Sequence, residues 1–483
     1  MPTRRTPRRD GALIQRPNRT IPRVCFLTGL FLVAAGARWG LAVAVAAELR
    51  VGTAMVNIDP PMAIPLAGYY NERGSQGVAD DLFAKAAVLD DGQTRVALVV
   101  CDLIGVPRQV AVEARKLIQE QSGIPGAHVM ISATHSHTGP VLVGEFASAI
   151  DNIPPLVRSY TQGLPKLIAR AVADAQAGLA PTRASLACAQ ENRLSFNRRF
   201  FMKDGTVGWN PGKLNPEIIR PAGPIDPEVG VVYFETPDKH PQLTFVNFAM
   251  HPDTTGGTLV SADYMGALSR CLAAHKGPTM LTLFANGTCG NLNHVNVRWA
   301  DPQHGTNEAN RLGAILAASV FKAYMDLVPL TDTNLRVRSR TLQLPLATIT
   351  DADVRAAIEI QKQGSKAKFK DQVQAQKVLD VKQRNGQPIE AEIQVIALGG
   401  DLAWVSLPGE VFVEHGLNIK AGSPFKQTHV IELANGDIDY VPTRAAYAEG
   451  NYEVVSARTG PGSGEMLVTA VLQLLQELKT APK

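Results

Sequence analysis

The feature that most constrains the fold of this chain is a regular alternation of short apolar runs with longer helical segments. The runs that predict buried strands are Val96–Val100, His128–Ile131, Leu243–Phe248 and Met280–Phe284. The segments with helical apolar spacing are Val110–Gln121, Ser159–Ala177 and Met265–His275. Strands separated by helices favour an α/β fold with a mixed or parallel sheet core and flanking helices. With no internal repeat or low-complexity linker, residues 48–483 are predicted to form one large catalytic domain.

The first 47 residues differ in composition from the rest of the chain. They hold seven arginines within the first 23 residues, then the apolar run Val24–Ala37, then small residues ending at Ala47. That order predicts a secretory signal at 1–47, with an uncleaved N-terminal anchor as the alternative, because Arg38 and Trp39 leave the run shorter than the roughly 20 residues that span a bilayer. The protein is therefore expected to be exported, to the periplasm or outside the cell. Beyond this leader no excess of basic residues remains, which argues against a nucleic-acid partner.

The second half of the domain contains a charged insertion and a closing helix. Residues 351–384 are rich in Lys, Gln and Ala and predict one or two solvated helices in a surface insertion. Gln394–Leu398 and Leu402–Leu407 predict a hairpin, and Glu465–Leu478 predicts an amphipathic helix.

The cysteines argue against a thiolate metal site. Outside the leader they are Cys101, Cys188, Cys271 and Cys289, which are far apart and lack CxxC spacing. One or two disulfides remain open, although Cys101 continues the apolar run Val96–Val100 and is predicted to be buried.

The segment Thr134–Pro140 carries the most chemical information. His135 and His137 follow a predicted strand two residues apart, so their imidazoles project to the same side of an extended chain. They can share one metal ion, or one can bind it while the other carries a proton, and neutral imidazole suits zinc. A pair of hydrogen-bonded loop histidines is the alternative.

Further candidates follow other predicted strands, where ligands gather in α/β sheets. His251 follows the apolar run that ends at Phe248. Glu410 follows another predicted strand, where its carboxylate either completes a site or caps a helix that begins at Val411. Tyr440 and Tyr452 lie in a later loop. The chain has no G-x-S-x-G, H-E-x-x-H, Walker or dinucleotide motif, which disfavours a serine hydrolase of the usual α/β type.

Taken in order, these segments resemble the neutral/alkaline, non-lysosomal ceramidases. The Ala133–Pro140 segment is similar to the THTHSGP signature of that family, and Pro408–Glu410 is similar to its PGE. The other similar segments are Asn57–Pro60, Leu66–Tyr69, Asn247–His251, Ser261–Gly266 and Ala434–Asn435 with Tyr440 and Tyr452. Their order and spacing fit from about residue 49 onward.

The resemblance implies a zinc-dependent hydrolase that cleaves the N-acyl amide bond of ceramide-like lipids. The implied zinc ligands are His135, His251, Glu410 and Tyr440. The implied catalytic residues are His137 for proton transfer, Tyr452 for the oxyanion, and Arg193 on the substrate side. The partner would be a lipid or small-molecule amide, with peripheral membrane contact; the oligomeric state is left open.

Two departures from the family bear on the substrate. Asn291 replaces the serine in the segment Asn286–Asn293, so a seryl nucleophile is disfavoured and Asn291 is expected to donate a hydrogen bond to the substrate instead. The chain also ends soon after the tyrosine loop, so no C-terminal β-sandwich is expected. The alternatives are therefore a zinc hydrolase of the same fold acting on a soluble amide, ester or glycoside, and a non-catalytic lipid- or ligand-binding homologue.

Overall fold

A computed structural model describes residues 48–69, 73–144 and 153–480. The predicted signal at 1–47 lies outside the described residues. The helices are α1 (Arg108–Ser122), α2 (Pro155–Ala177), α3 (Asp263–Lys276), α4 (Thr306–Ala323), α5 (Asp351–Gln363), α6 (Phe369–Gln383), α7 (Val413–Gly422), α8 (Arg444–Glu449), α9 (Tyr452–Ser456) and α10 (Ser463–Thr480). The strands are β1 (Arg50–Asn57), β2 (Gly77–Val78), β3 (Phe83–Asp90), β4 (Arg95–Cys101), β5 (Val129–Ala133), β6 (Ala180–Pro181), β7 (Arg183–Gln190), β8 (Phe196–Asn197), β9 (Arg199–Met202), β10 (Val207–Trp209), β11 (Ile218–Pro221), β12 (Glu228–Glu235), β13 (Pro241–Phe248), β14 (Leu259–Val260), β15 (Leu281–Asn286), β16 (Leu292–Asn293), β17 (Val328–Pro329), β18 (Leu335–Leu344), β19 (Ile389–Leu398), β20 (Leu402–Ser406), β21 (Glu410–Val411), β22 (Gln427–Ile431) and β23 (Tyr440–Val441).

Three larger sheets organise the domain. Their strand orders are β5-β4-β3-β1-β6, β15-β13-β12-β7-β17 and β18-β19-β20-β22. Each is mainly antiparallel but contains one parallel pair, β4 with β5, β13 with β15, and β20 with β22. The mixed α/β fold predicted from the sequence is therefore confirmed.

A shared apolar core lies between the three sheets, and helices cover their outer faces. The shared core includes Val100 and Met130 from the first sheet, Phe245 from the second, and Trp404 and Ile431 from the third. Helices α1 and α2 pack on the first sheet, α3 and α4 on the second, and α7 and α10 on the third. The parallel pairs thus end near one another, which brings loops from all three sheets together.

The insertion at 351–384 is less solvated than its composition predicts. It forms α5 and α6, and α6 buries Val373, Val378 and the carboxylate of Asp380. Arg458 Nη2 lies 2.6 Å from Asp380 Oδ2, so an ion pair anchors α6 beside the loop that carries the two candidate tyrosines. The insertion is therefore placed to contribute to a site.

Two other expectations are settled by the described residues. Cys101, Cys188, Cys271 and Cys289 are all free, so neither of the disulfides left open by the sequence forms among them, and Cys101 is buried as predicted. No helix in the described part of the chain is long and apolar enough to span a membrane.

Candidate metal centre

His135 is held in a strained backbone conformation directly after β5. Its φ of 73° lies in the left-handed region, which a residue with a Cβ occupies only at a cost. Its amide N–H donates to Leu103 O at 2.8 Å, and its Nδ1 lies 2.6 Å from Ile104 O. The loop after β4 therefore fixes both the backbone and the ring of His135.

Three imidazoles converge at this point. His135 Nε2 lies 3.0 Å from His251 Nε2 and 3.2 Å from His137 Nε2. One nitrogen of each ring falls within 4.8 Å of the other two, so the three side chains could hold a metal ion. His251 comes from the loop after β13, as the sequence predicts, and the two-residue spacing places His137 in the same cluster.

Glu410 adds a carboxylate to the cluster. Strands β21 and β23 pair in parallel with Glu410 opposite Tyr440, so two separate segments of the chain meet here. Glu410 Oε2 lies 3.4 Å from His135 Nε2 and 3.6 Å from His251 Nε2. This oxygen is buried and has no well-formed hydrogen bond among the described residues. Because α7 begins at Val413, Glu410 lies before the helix and belongs to the site.

The donor set fits a cation. The Nδ1 atoms of His135 and His137 face the carbonyl oxygens of Ile104 and Gly68, which only accept, so in the neutral rings Nε2 is an unprotonated acceptor. Unprotonated nitrogens about 3 Å apart repel unless a proton or a metal lies between them. Two nitrogens bound tetrahedrally to zinc at ~2.0–2.1 Å would be separated by roughly 3.3 Å, close to the observed spacings.

The pKa values agree with a site that attracts one positive charge. Burial lowers the pKa of His135, but the Glu410 carboxylate outweighs it and raises that pKa to about 9. Burial and the charge of His135 lower the pKa of His137 to about 4. Burial and Arg198 move the pKa of His251 well below its ordinary value. Of the three imidazoles, His135 is therefore the one that most favours a positive charge.

An arginine that the sequence analysis did not indicate lies next to the candidate ligands. Arg198 is buried, its Nη2 donates to the Tyr440 hydroxyl at 3.1 Å, and its Nε donates to Glu453 Oε1 at 3.0 Å. The negative charge of Glu410 acts on the same tyrosine and, after burial, is the main cause that raises the pKa of Tyr440 well above its ordinary value. Arg198 therefore places a fixed positive charge beside the tyrosine that was predicted to be a ligand.

A buried carboxyl supports the cluster from behind. Glu432, at the end of β22, accepts hydrogen bonds from the backbone N–H groups of Cys289 and Val411 at 3.0 and 2.8 Å. The Cys289 thiol donates to the other oxygen at 2.9 Å and lies 3.6 Å from His251 Nδ1. Burial raises the pKa of Glu432 to about 8. The loop that supplies His251 and the strand that supplies Glu410 are thereby tied together.

The cluster opens into two adjoining cavities with volumes of about 210 and 640 Å³, which share His137, Tyr440 and Tyr452. Aromatic rings form part of the wall of the larger cavity. The Trp209 and Tyr452 ring centroids are 4.4 Å apart, and Phe369, at the start of α6, stacks on Tyr452 at 5.8 Å. The cavity is within the size range of small-molecule sites.

Two predicted site residues lie apart from the cluster. Arg193 is exposed and lines neither cavity; Arg198, five residues later, lies in the site instead. The Asn291 amide donates to Glu414 at 2.9 Å, and its oxygen accepts from the Val413 N–H at 2.9 Å. Both polar ends of Asn291 therefore hold the start of α7, and its side chain lines a separate cavity of about 250 Å³.

The fold and this cluster define the chain as a mixed α/β protein with a candidate metal centre at the point where loops from its three main sheets meet. No protein-family model matches the chain. Its fold is similar to that of the neutral ceramidase from Pseudomonas aeruginosa, with a TM-score of 0.71 and 20% identity over 90% of this chain and 75% of that one. A structure described as a ceramidase complexed with C2 is similar with a TM-score of 0.69 and 19% identity, over the same shares of the two chains. The resemblance found in the sequence is thus confirmed at the level of the fold.

Proposed function

We propose that this protein is a zinc-dependent hydrolase that cleaves the N-acyl amide bond of ceramide-like lipids. The observation that carries the proposal is the convergence of three imidazoles and a carboxylate oxygen without a well-formed hydrogen bond at the floor of an aromatic-lined cavity. The shared fold with two ceramidase structures supports the reaction class. The proposed ligands are His135, His251, Glu410 and Tyr440.

When bound, zinc supplies Lewis acidity, which acidifies water and polarises a carbonyl group. The protein supplies the charge balance around it. Glu410 contributes a negative charge. Burial and that charge raise the pKa of Tyr440 well above its ordinary value, and the guanidinium of Arg198, which is hydrogen-bonded to the Tyr440 hydroxyl, opposes this shift. Burial of these groups strengthens each interaction by keeping water away.

His137 has the geometry of a proton carrier. Its Nδ1 lies 2.9 Å from Gly68 O, which fixes the ring and leaves Nε2 facing the cluster as an acceptor. In that position Nε2 can accept a proton from the attacking water and return it to the leaving amine. Burial and the charge of His135 lower the pKa of His137, so the ring is neutral before it accepts that proton.

Tyr452 and the aromatic wall are proposed to position the substrate. Tyr452 lines both cavities and lies 5.5 Å from Tyr440 between ring centroids, and we assign it to stabilising the oxyanion that develops on the substrate carbonyl. The stacked rings of Trp209 and Phe369 offer an apolar surface for an acyl chain.

We further propose that residues 1–47 direct export and that residues 48–483 act as one catalytic domain. The Arg-rich start, apolar run and small residues ending at Ala47 support this. Mass spectrometry of protein recovered from the native host would report the mature N-terminus. A start near Ala46 to Glu48 is expected, whereas an intact Met1 would favour the anchor.

A substrate panel tests the proposed reaction. Zinc-loaded protein would be incubated with an N-acyl sphingoid base, with soluble N-acyl amides, and with ester and glycoside conjugates. Release of free fatty acid and amine from the lipid amide is expected, and His137→Gln protein serves as the inactive control with an intact ligand set. Turnover of soluble conjugates alone would reject the lipid substrate, and no turnover of any amide would reject hydrolysis of an amide bond.

A further inference from the structure

One buried arginine joins the helical insertion to the loop that carries a candidate ligand. Arg458 is nearly buried, and the side chain of Asp380, in the second half of α6, is fully buried. Arg458 donates from Nε and Nη2 to Asp380 Oδ2 at 3.1 and 2.6 Å. Its Nη1 pairs with Asp439 Oδ2. A single guanidinium therefore connects two carboxylates from distant parts of the chain.

Asp439 lies between two of the proposed zinc ligands. It directly precedes Tyr440, and its backbone carbonyl accepts the N–H of Glu410 at 3.0 Å. Its Oδ1 accepts the N–H of Tyr440 at 2.7 Å. Strands β21 and β23, which carry the two ligands, have only two residues each, so their own pairing is short. Asp439 therefore supplies much of what fixes the backbone of Glu410 relative to that of Tyr440.

The backbone of Asp439 needs support from its surroundings. Its φ of 65° lies in the left-handed region, which persists in a residue with a Cβ only where other contacts hold it. Its N–H donates to Asp437 Oδ1 at 3.0 Å, and the Ser456 hydroxyl donates to Asp439 Oδ1 at 3.0 Å. A side chain at Gly409 would collide with the Asp439 carbonyl oxygen, so β21 packs closely against it. The ion pair with Arg458 is the contact that comes from the direction of the insertion.

An arginine that only anchored the insertion would need one carboxylate and no contact with the site. Arg458 also donates from Nη1 to Ser456 O at 2.9 Å, at the end of the helix that begins with Tyr452. At its own start, α6 places Phe369 against the Tyr452 ring. The insertion therefore reaches the site at two points, in the cavity wall through Phe369 and behind the ligands through Arg458.

We propose that Arg458 is a positioning residue of the metal centre. By joining Asp380 of the insertion to Asp439, it holds Glu410 and Tyr440 in the geometry that binds the metal ion. This inference rests on the proposed function, since it concerns the ligand set of the same site. The insertion at 351–384 is then a structural part of the metal centre and not a surface addition.

Removing the carboxylate of Asp380 breaks this connection at a distance from the ligands. Loss of a partner that orients metal ligands weakens metal binding roughly 10- to 100-fold, so Asp380→Ala should raise the dissociation constant for zinc at least about 10-fold. Asp380→Asn keeps the size of the side chain and one acceptor but loses the charge, so it should change the affinity in the same direction by less. Asp371→Ala is the matched control, because Asp371 is exposed in the first turn of the same helix.

The experiment measures the affinity of the metal-free full chain for zinc, by competition with a chelator of known affinity. The absorption spectrum of the Co²⁺-loaded protein is a second readout, because it depends on the geometry of the ligands. Wild type and Asp371→Ala should give the same zinc affinity and the same spectrum. Asp380→Ala should bind zinc at least about 10-fold more weakly and show an altered spectrum.

A folded Asp380→Ala protein with unchanged zinc affinity and an unchanged Co²⁺ spectrum would overturn the proposal, even if its unfolding midpoint fell, because Arg458 would then only anchor the insertion. If Asp380→Ala does not fold, Asp380→Asn and Arg458→Lys decide by the same two readouts. Lysine keeps the charge but lacks the planar fork that engages both carboxylates, so weaker zinc binding is expected and unchanged binding would overturn the proposal.

These readouts need no substrate, so they are separate from the test of the proposed reaction. A protein that shows the expected zinc affinities but hydrolyses no amide would reject the reaction and support the positioning role. A wild type that hydrolyses a lipid amide, together with an Asp380→Ala variant that binds zinc normally, would reject the positioning role alone.

Discussion

Replacing His135 with alanine removes the imidazole at the centre of the candidate metal cluster. Its Nε2 lies 3.0 Å from His251 Nε2, 3.2 Å from His137 Nε2 and 3.4 Å from Glu410 Oε2. Loss of a residue that merely orients a ligand weakens metal binding roughly 10- to 100-fold. Loss of the ligand that lies beside both His251 and Glu410 is therefore expected to weaken it by about 1,000-fold or more.

The expected weakening of zinc binding can be expressed as a change in the midpoint of thermal unfolding. Zinc at about 1,000 times its dissociation constant stabilises the native state by about 4.1 kcal/mol. For the compact unit Ala47–Lys483, the unfolding entropy is roughly 0.9 kcal/mol/K, so the midpoint should rise by about 4–5 °C. In His135→Ala the same zinc concentration would equal the dissociation constant, contribute about 0.4 kcal/mol and shift the midpoint by less than about 1 °C.

The assay is calorimetric unfolding of metal-free protein with and without zinc, in which each variant is compared only with itself. His128→Ala is the matched control, because His128 is a half-buried histidine just before β5 whose Nδ1 contacts Arg95 O rather than the cluster. The control should retain the full shift. A full zinc-dependent shift in His135→Ala would refute the assignment of His135 as the central ligand.

Three further changes probe other parts of the site. His137→Gln should lower kcat by roughly 100-fold or more while leaving the zinc content unchanged, as measured by steady-state kinetics and metal analysis; loss of zinc would instead make His137 a ligand. Phe369→Ala should raise KM for a long-chain substrate roughly 10-fold but leave a short-chain one nearly unchanged, because it removes part of the apolar wall; equal effects on both chain lengths would contradict this. Burial lowers the pKa of His294, but Asp253 outweighs it and raises that pKa to about 9. The stability that protonated His294 contributes is therefore complete below the unfolded pKa of about 6.5 and is lost as pH rises through about 9. His294→Gln should reduce the pH dependence of the free energy of unfolding, measured with urea, between those pH values. An unchanged pH dependence would contradict the assignment.

Much of the sheet framework could be predicted from local pattern. Runs such as Val96–Val100 and Leu243–Phe248 are apolar throughout because both faces of their strands are buried, and they form β4 and β13. His135 and His251 were predicted because ligand sites in α/β sheets form where loops leave the ends of strands. By contrast, the sequence does not show that three sheets share one core, since that depends on contacts between distant segments.

The site was predicted less completely, for reasons that lie in side-chain direction and tertiary burial. Glu410 and Tyr440 meet only because β21 pairs with β23, and the resemblance to a family, not spacing, indicated them. Arg198 lies beside Arg199 after a two-residue strand, where paired arginines usually face solvent. In the interior Glu453 pairs with both, and Glu449 also pairs with Arg199. Asn291 occupies the position expected from the family, yet its side chain turns toward α7.

The insertion at 351–384 also shows that composition alone does not predict which side chains are buried. Its Lys- and Gln-rich sequence predicts solvated helices, and α5 is largely exposed. However, the side of α6 that carries Asp380 is buried against Arg458, and Phe369 at its start reaches the aromatic wall. A buried ion pair, one aromatic residue and a few buried apolar side chains hold α6 in place, and none of them dominates the composition of the segment.

The measurement that most directly tests the metal centre is the metal content of the protein, determined by inductively coupled plasma mass spectrometry after purification without chelators. We expect about one zinc per chain in the wild type and in His128→Ala, and almost none in His135→Ala. A wild-type protein that contains no metal and does not bind added zinc would contradict the central claim that His135, His251, Glu410 and Tyr440 form a metal site.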